Sequence, residues 1–482
     1  MTCPTPPISA GSTGLTLNPA LLPNQALYGA AENGQPGWVL AAQPFTLSRT
    51  QHQTLNRLGG VLVQFISGVE TLYRDSLAGR APDWVSAWLD AGKPEALRQF
   101  AAMKRLKPVM PMLLRPDLLI TESGFALTEI DSVPGGLGFT AMLNHTYRES
   151  GFAVLEGPHP LPRLWLDSLL NWYAAQKQSR TGQPFIAVVI SDEAGDYRPE
   201  WRWFTQAVQA EYPGIAVVHP RELQLQGEAL VWRTPEGTTQ TIDLIYRFFE
   251  LFDLPNIPNA ELIQFAVKKG WVALTPPYKP VHEEKLNLAL LHHPMLAAFW
   301  QGRLGEDFDW LKRLVPPTWV MDPTPLSGAG VIPGLNPEGN AIQSFEALKT
   351  LGQKGRRLVI KPSGFSPLAW GSRGVAIGHD MAQGDWADAI DTALKAFPST
   401  PYVLQPFENT AVQTIRSLNP DTGRQQELRV RTRLCPYYLV SADAVKLGGI
   451  LATACPADKK IIHGMQDAIL APAMLDSDLT DH

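Results

Sequence analysis

The residues best equipped for chemistry begin with Arg115-Pro116-Asp117. Twelve positions after Asp117 comes Glu129-Ile130-Asp131, followed by Pro134-Gly135-Gly136-Leu137-Gly138. Three carboxylates are hard oxygen ligands of the kind that Mg2+ takes together with phosphate oxygens. An arginine among them can hold a phosphate or a developing oxyanion. The element that could position them is a hairpin. Leu113 to Ile120 reads as one strand, Ser123-Gly124 as a tight turn and Phe125 to Ile130 as the return strand. Glu129 and Asp131 are two apart and leave the same face of their strand, where Asp117 on the neighbouring strand can join them. The same residues equally suit a solvated polar edge. The glycines after Asp131 form a loose phosphate-loop pattern, since a backbone close to a metal-bound phosphate needs glycine.

A second constellation lies far downstream. Arg357-Leu358-Val359-Ile360-Lys361-Pro362-Ser363 reads as a strand ending in a lysine, followed by Gly364 and then Trp370-Gly371-Ser372-Arg373-Gly374. An ammonium at a strand end can take phosphate oxygens as a point charge, and a glycine-rich loop can fold its N–H groups over them. This is not a P-loop, because no Gly-Lys-Ser/Thr opens a helix here. Taken alone it is also an ordinary strand, turn and strand.

Together the two clusters resemble the ATP-grasp superfamily. The metal strands precede the nucleotide lysine, which resembles the circularly permuted, glutathionylspermidine synthase-like branch. In that branch a hairpin reads Arg-x-Asp and, about a dozen residues on, Glu-x-Asn. Arg115, Asp117 and Glu129 fall on the pattern, and Asp131 stands where the family usually has asparagine. The resemblance implies ATP and Mg2+ as cofactors, with Asp117, Glu129 and Asp131 on the metal and Arg115 as the catalytic cation. Lys361 and Lys285 would hold the phosphates, with Lys395 a poorly placed alternative to Lys285. Ser372, Arg373 and Gly374 would close as a lid, and Leu404, Gln405 and Phe407 would border the adenine. The implied activity is ATP-dependent carboxylate–amine ligation through an acyl phosphate, on small-molecule acid and amine substrates such as peptides or polyamines. A phosphotransferase, or a non-catalytic nucleotide sensor or scaffold, is the alternative on the same fold.

The fold class expected is α/β with α+β lobes: a circularly permuted ATP-grasp fold with an inserted Rossmann-like pre-ATP-grasp domain. Its divisions are an irregular arm over 1–45, a metal-binding part over 46–180, the Rossmann-like domain over 181–280 and nucleotide-binding lobes over 281–482. The chain's 482 residues suffice for such lobes. A formal charge of −5 argues against nucleic acid as a partner. No apolar run is long enough to cross a bilayer, and the first 27 residues lack the basic start and apolar centre of a secretory signal. Three scattered cysteines, Cys3, Cys435 and Cys455, exclude a disulfide framework and fit a reducing cytoplasm.

Around the clusters, Ser48 to Ser76 carries apolar residues at helical spacing, and Pro94–Met103 and Leu164–Gln178 read as further helices. Pro184–Ile190 reads as a buried strand, Arg198–Glu211 as a helix and Gly214–His219 as a strand, a parallel unit whose ligand mouth would lie near Ser191-Asp192-Glu193. An acidic helix-capping loop is the plainer reading of that triplet. Ile242–Phe249 reads as another strand, Glu283–Arg303 as one helix and Trp386–Phe397 as an amphipathic helix. His282, His292 and His293 lack metal-ligand spacing, and Cys435 and Cys455 read as small buried hydrophobes. Arg429, Arg431 and Arg433 share one face of a strand, facing either an anionic cleft or acidic neighbours. The Asp458-Lys459-Lys460 turn with His463 faces either substrate or solvent.

Overall fold

A computed structural model describes residues 17–18, 38–176, 182–369, 371, 373–418, 424–462, 464 and 467–476. Ser48 starts the long helix Arg49–Leu77 through a capping box: Gln51 N donates to Ser48 Oγ at 3.2 Å, and Ser48 N to Gln51 Oε1 at 2.9 Å. The expected stripe, from Leu55 through Leu62 and Phe65 to Leu72, is buried on a large sheet together with Leu118, Ile120, Leu434 and Tyr438. Burial of that stripe, not helix propensity alone, holds the helix in place.

The large sheet has eight strands. Its central order is Trp38–Leu40, Ala468–Leu475, Val445–Pro456, Gln425–Val440, Leu113–Thr121 and Gly124–Asp131. Val412–Leu418 pairs with Gln425–Val440, and Phe45–Leu47 with Ala468–Leu475. Much of the expected N-terminal arm lies outside the described residues. The described part corrects that expectation, because Trp38–Leu40 and Phe45–Leu47 are strands running parallel to Ala468–Leu475. Their strand partner comes from the far end of the chain, which local reading could not supply.

The strand, helix and strand read over Pro184–His219 form as Ile186–Ile190, Arg198–Gln209 and Ile215–Val218. Four parallel strands stand in the order Ala273–Thr275, Leu244–Phe248, Ile186–Ile190, Ile215–Val218. Ile186 to Ile190 are all fully buried, which fits a parallel strand covered on both faces. The helices Leu161–Ala174 and Arg198–Gln209 contribute Trp165, Trp201 and Phe204 to the same core.

A smaller antiparallel sheet has the order Trp319–Val320, Tyr402–Pro406, Leu358–Pro362, Ala376–Ile377. The helix Gln383–Ala396 covers one face with Trp386 and Ile390, in a core shared with Leu358, Ile360 and Leu404. The single helix expected over Glu283–Arg303 is instead broken into Asn287–His292 and Ala297–Leu304. His293 precedes Pro294 and is extended, with φ −68° and ψ 122°, as the proline ring demands of the residue before it.

Candidate functional site

The hairpin forms as read, from Leu113–Thr121 and Gly124–Asp131, and its register decides the geometry. Arg115 lies opposite Asp131 and Asp117 opposite Glu129, so all four side chains share one face. Leu358–Pro362 and Tyr402–Pro406 bring Lys361 and Gln405 to the other wall of a cleft of about 360 Å3. That volume falls in the range of small-ligand sites, roughly 300–1,000 Å3. Lys285 enters between the walls just before the helix Asn287–His292.

Each carboxylate of the hairpin faces a cation. Arg115 stands between two of them, with Nε 3.3 Å from Asp117 Oδ1 and Nη2 3.3 Å from Asp131 Oδ2, and Nη1 donates to Gly135 O at 3.2 Å. Burial works against its charge, but Asp117 and Asp131 outweigh that and push its pKa well up. Burial also favours the neutral acid at Asp117. Arg433, which donates from Nη1 to Asp117 Oδ2 at 2.7 Å, together with Arg115 overcomes this and holds the carboxyl below its usual range. Burial prevails at Asp131, raising its pKa despite Arg115 and a 2.8 Å hydrogen bond from Val133 N. Glu129 Oε1 lies 2.7 Å from Lys285 Nζ. Burial opposes the Lys285 charge, Glu129 outweighs it, and the lysine's pKa is raised. Lys361 lacks so close an anion: burial brings it down to about 8, and its Nζ donates to Gln405 Oε1 at 3.0 Å.

Three expectations are corrected. The carboxylates share a face but not a point, and among the described residues no three His, Cys, Asp or Glu side chains gather as a metal-ion set. The reason is electrostatic, since Arg115 bridges Asp117 and Asp131 while Lys285 takes Glu129. Their chemistry still fits Mg2+, being hard oxygens on paired rigid strands, with Glu129 the most open. Second, the glycine loop does not offer Gly136 N to the cleft. Gly136 N and Phe139 N donate to the buried Glu200 carboxylate at 3.0 and 3.3 Å. A Cβ on Gly135 would lie 2.3 Å from the Tyr197 ring, and one on Gly138 2.6 Å from Glu200 O, so close packing is what requires glycine. Third, Leu404 turns away from the cleft into the core with Trp386, because side chains alternate along the strand that points Gln405 inward.

The other expected residues divide. Arg373 and Phe407 line the cleft, the Phe407 ring 4.5 Å from that of His379. Gly374 packs its loop, donating to Leu368 O at 3.0 Å. Ser372 and His463 lie outside the described residues. Lys395 is exposed at the end of the helix Gln383–Ala396, so Lys285 alone of the two reaches the cleft. The arginine row also divides: Arg433 enters the cleft, Arg431 donates to Ala457 O at 2.8 Å and Arg429 is exposed. Lys460 lines the mouth and pairs with Asp380 of the small sheet's lobe. Cys435 and Cys455 are buried, and the Cys435 thiol donates to Asp117 Oδ1 at 3.4 Å. His282 pairs with Glu70 at 3.2 Å instead of joining its neighbours on a metal. Asp192 pairs with His219 and Arg221 at 2.9 and 3.0 Å, and no side chain caps the helix Arg198–Gln209, so the triplet does not serve as its cap.

No family model matches the chain, and no curated protein matches it either. Among solved structures it is similar to a glutathione synthetase-like effector from Globodera pallida, with TM-score 0.57 and 10% identity, over 91% of this chain and 90% of that one. A putative gamma-glutamylcysteine synthetase from Methylobacillus flagellatus gives TM-score 0.41 at 12% identity, covering 89% and 88%. A D-alanyl-alanine synthetase A from Vibrio cholerae gives 0.25 at 10%, covering 56% and 88%. The first likeness shows a shared fold, a mixed α/β arrangement of several sheets. The other two are too distant in shape to add to it. Among the described residues no helix is long and apolar enough to cross a membrane.

Proposed function

We propose that this chain is an ATP-dependent carboxylate–amine ligase acting on small-molecule acid and amine substrates, of which peptides and polyamines are the first classes to try. The observation that carries the proposal is the meeting of two lysines from separate elements, Lys285 and Lys361, in one cleft that faces Arg115 and the carboxylates of a rigid hairpin. Lysines and hard oxygens meeting in one cleft suit a triphosphate, for which catalysis is mainly positioning and charge neutralisation. In this reading Lys285 and Lys361 take phosphate oxygens, and the adenine lies against Val359, Ile377 and Phe407 beside Gln405.

Glu129 and Asp131, with Asp117, would hold Mg2+, which when bound neutralises charge on the phosphates. The substrate carboxylate attacks the γ-phosphorus and ADP leaves. The amine nitrogen then attacks the acyl carbon, and phosphate leaves with the C–O bond broken as the amide forms. Arg115 stabilises the charge that develops on oxygen. The Arg373 loop, closing over the cleft, keeps water from the acyl phosphate.

The same reading makes the fold a circular permutation, with residues 181–280 as an inserted Rossmann-like domain, 46–180 as the metal-binding part and 281–482 as the nucleotide lobes. It sets the protein in the cytoplasm, in keeping with a chain of only three scattered cysteines. The test is ADP release from Mg-ATP with pooled acids and amines, with hydroxylamine replacing the amine in a parallel run. Acid-dependent hydroxamate together with ADP supports the acyl-phosphate route. Phosphorylated product without hydroxamate means a phosphotransferase, and binding without turnover of any pool favours the sensor.

A further inference from the structure

Behind the two lysines lies a buried polar network whose members come from three distant parts of the chain. Lys93 Nζ and Glu284 Oε1 are 2.6 Å apart, their side chains only 2% and 1% exposed. The other Glu284 oxygen accepts from Ser363 Oγ, and Ser363 Oγ in turn accepts from Leu286 N at 2.9 Å. Ser363 O accepts from Lys285 N at 3.0 Å. The backbone carrying Lys285 is therefore tied at both neighbouring positions to Ser363, two residues beyond Lys361. Gly364 allows this approach, since a Cβ there would lie 2.6 Å from Glu283 O and 2.9 Å from the Glu284 carboxylate. Lys93 is anchored as firmly. It follows Gly92, whose φ is +72° and whose Cβ, if present, would lie 1.8 Å from Ser399 O.

A buried ion pair is a poor source of stability, because desolvation consumes most of the Coulombic attraction. What it supplies is direction, and here every directed bond converges on the spacing between two cationic side chains. We propose that Lys93, Glu284 and Ser363 form a clasp that sets Lys285 and Lys361 in register for a single triphosphate, with Lys93, Glu284 and Ser363 acting as positioning residues. The clasp rests on the nucleotide reading above. It adds the claim that affinity for the phosphates, and not for the nucleoside, is governed from these buried positions.

The experiment compares Mg-ATP with adenosine, which carries no phosphate, on wild type, Ser363→Ala and the charge-neutral double variant Lys93→Met with Glu284→Gln. Ser363→Ala removes only a hydroxyl and leaves the ion pair in place, so the test survives if the double variant does not fold. A misaligned lysine loses a charged hydrogen bond, and the expected result is Mg-ATP affinity weakened by about tenfold or more, with adenosine affinity unchanged. Equal weakening of both ligands would mark the network as merely structural and overturn the proposal. Unchanged binding of both would overturn it as well. A wild type that takes no Mg-ATP removes the nucleotide reading and the clasp with it, whereas a wild type that binds beside unaffected variants removes the clasp alone.

Discussion

Lys361→Met is expected to make the protein more stable while abolishing the grip on phosphate. The half-buried ammonium has lost water without gaining a close anion: burial lowers its pKa from 10.5 to about 8, and its hydrogen-bonding partner, Gln405 Oε1 at 3.0 Å, is neutral. A pKa unit corresponds to about 1.4 kcal/mol, so holding this charge in the folded state costs roughly 2–3 kcal/mol, allowing for water that still reaches the group. Between about pH 8 and 10.5 the unfolded lysine keeps a proton that the folded one has released, so wild-type stability rises with pH through this window. Below pH 8 both states are protonated and the full cost is felt. Methionine matches the length of the apolar stem and removes the charge. Thermal melting of wild type and variant, from pH 7 to 10.5, should show a gain that is largest at neutral pH and fades towards pH 10.5. A variant no more stable than wild type at pH 7, or a gain independent of pH, would refute the reasoning.

Glu200 is expected to show the opposite pH sense. Burial raises its carboxyl from 4.5 to about 8, so over that window the folded state retains a proton that the unfolded state loses, and wild-type stability falls as pH rises. Glu200→Gln keeps one acceptor oxygen for Gly136 N or Phe139 N and turns its amide NH2 toward the other donor, at the cost of one of the two hydrogen bonds. In chemical denaturation it should be less stable than wild type at pH 4 and gain on wild type by roughly 3–5 kcal/mol by pH 8; a pH-independent difference would count against the buried carboxyl. Gly138→Ala would press a methyl to 2.6 Å from Glu200 O. Overpacking of this kind costs about 1–3 kcal/mol, to be read as a lowered melting temperature, and an unchanged one would contradict the packing role given to this glycine.

The sequence was most legible where structure is local. Ser48 with Gln51, and the stripe from Leu55 to Leu72, announce the long helix because both signals lie within a few turns. Leu113 to Asp131 announces the hairpin because turn and strands are adjacent, and with it the shared face of Arg115, Asp117, Glu129 and Asp131. What did not show was set by distant partners. Arg433 reaches Asp117 across 316 positions of chain, so the alternation of arginines could not say which one enters the cleft. Glu200 takes the N–H groups of Gly136 and Phe139 from 64 and 61 residues away, a partner that the glycine pattern alone could not announce. The Lys93–Glu284 pair left no local mark, since neither residue belongs to a pattern. The break at His293-Pro294 was missed although its cause, the proline, stands in the sequence.

The central claim is that one cleft holds a magnesium-bound triphosphate among Lys285, Lys361 and the hairpin carboxylates. Calorimetric titration of Mg-ATP into wild type, Glu129→Ala and Lys361→Met tests it most directly, with a further titration of wild type in excess chelator. The account predicts a single site that needs the metal, lost or severely weakened in both variants. Binding that ignores chelator and survives both substitutions would contradict it, as would no binding by the wild type.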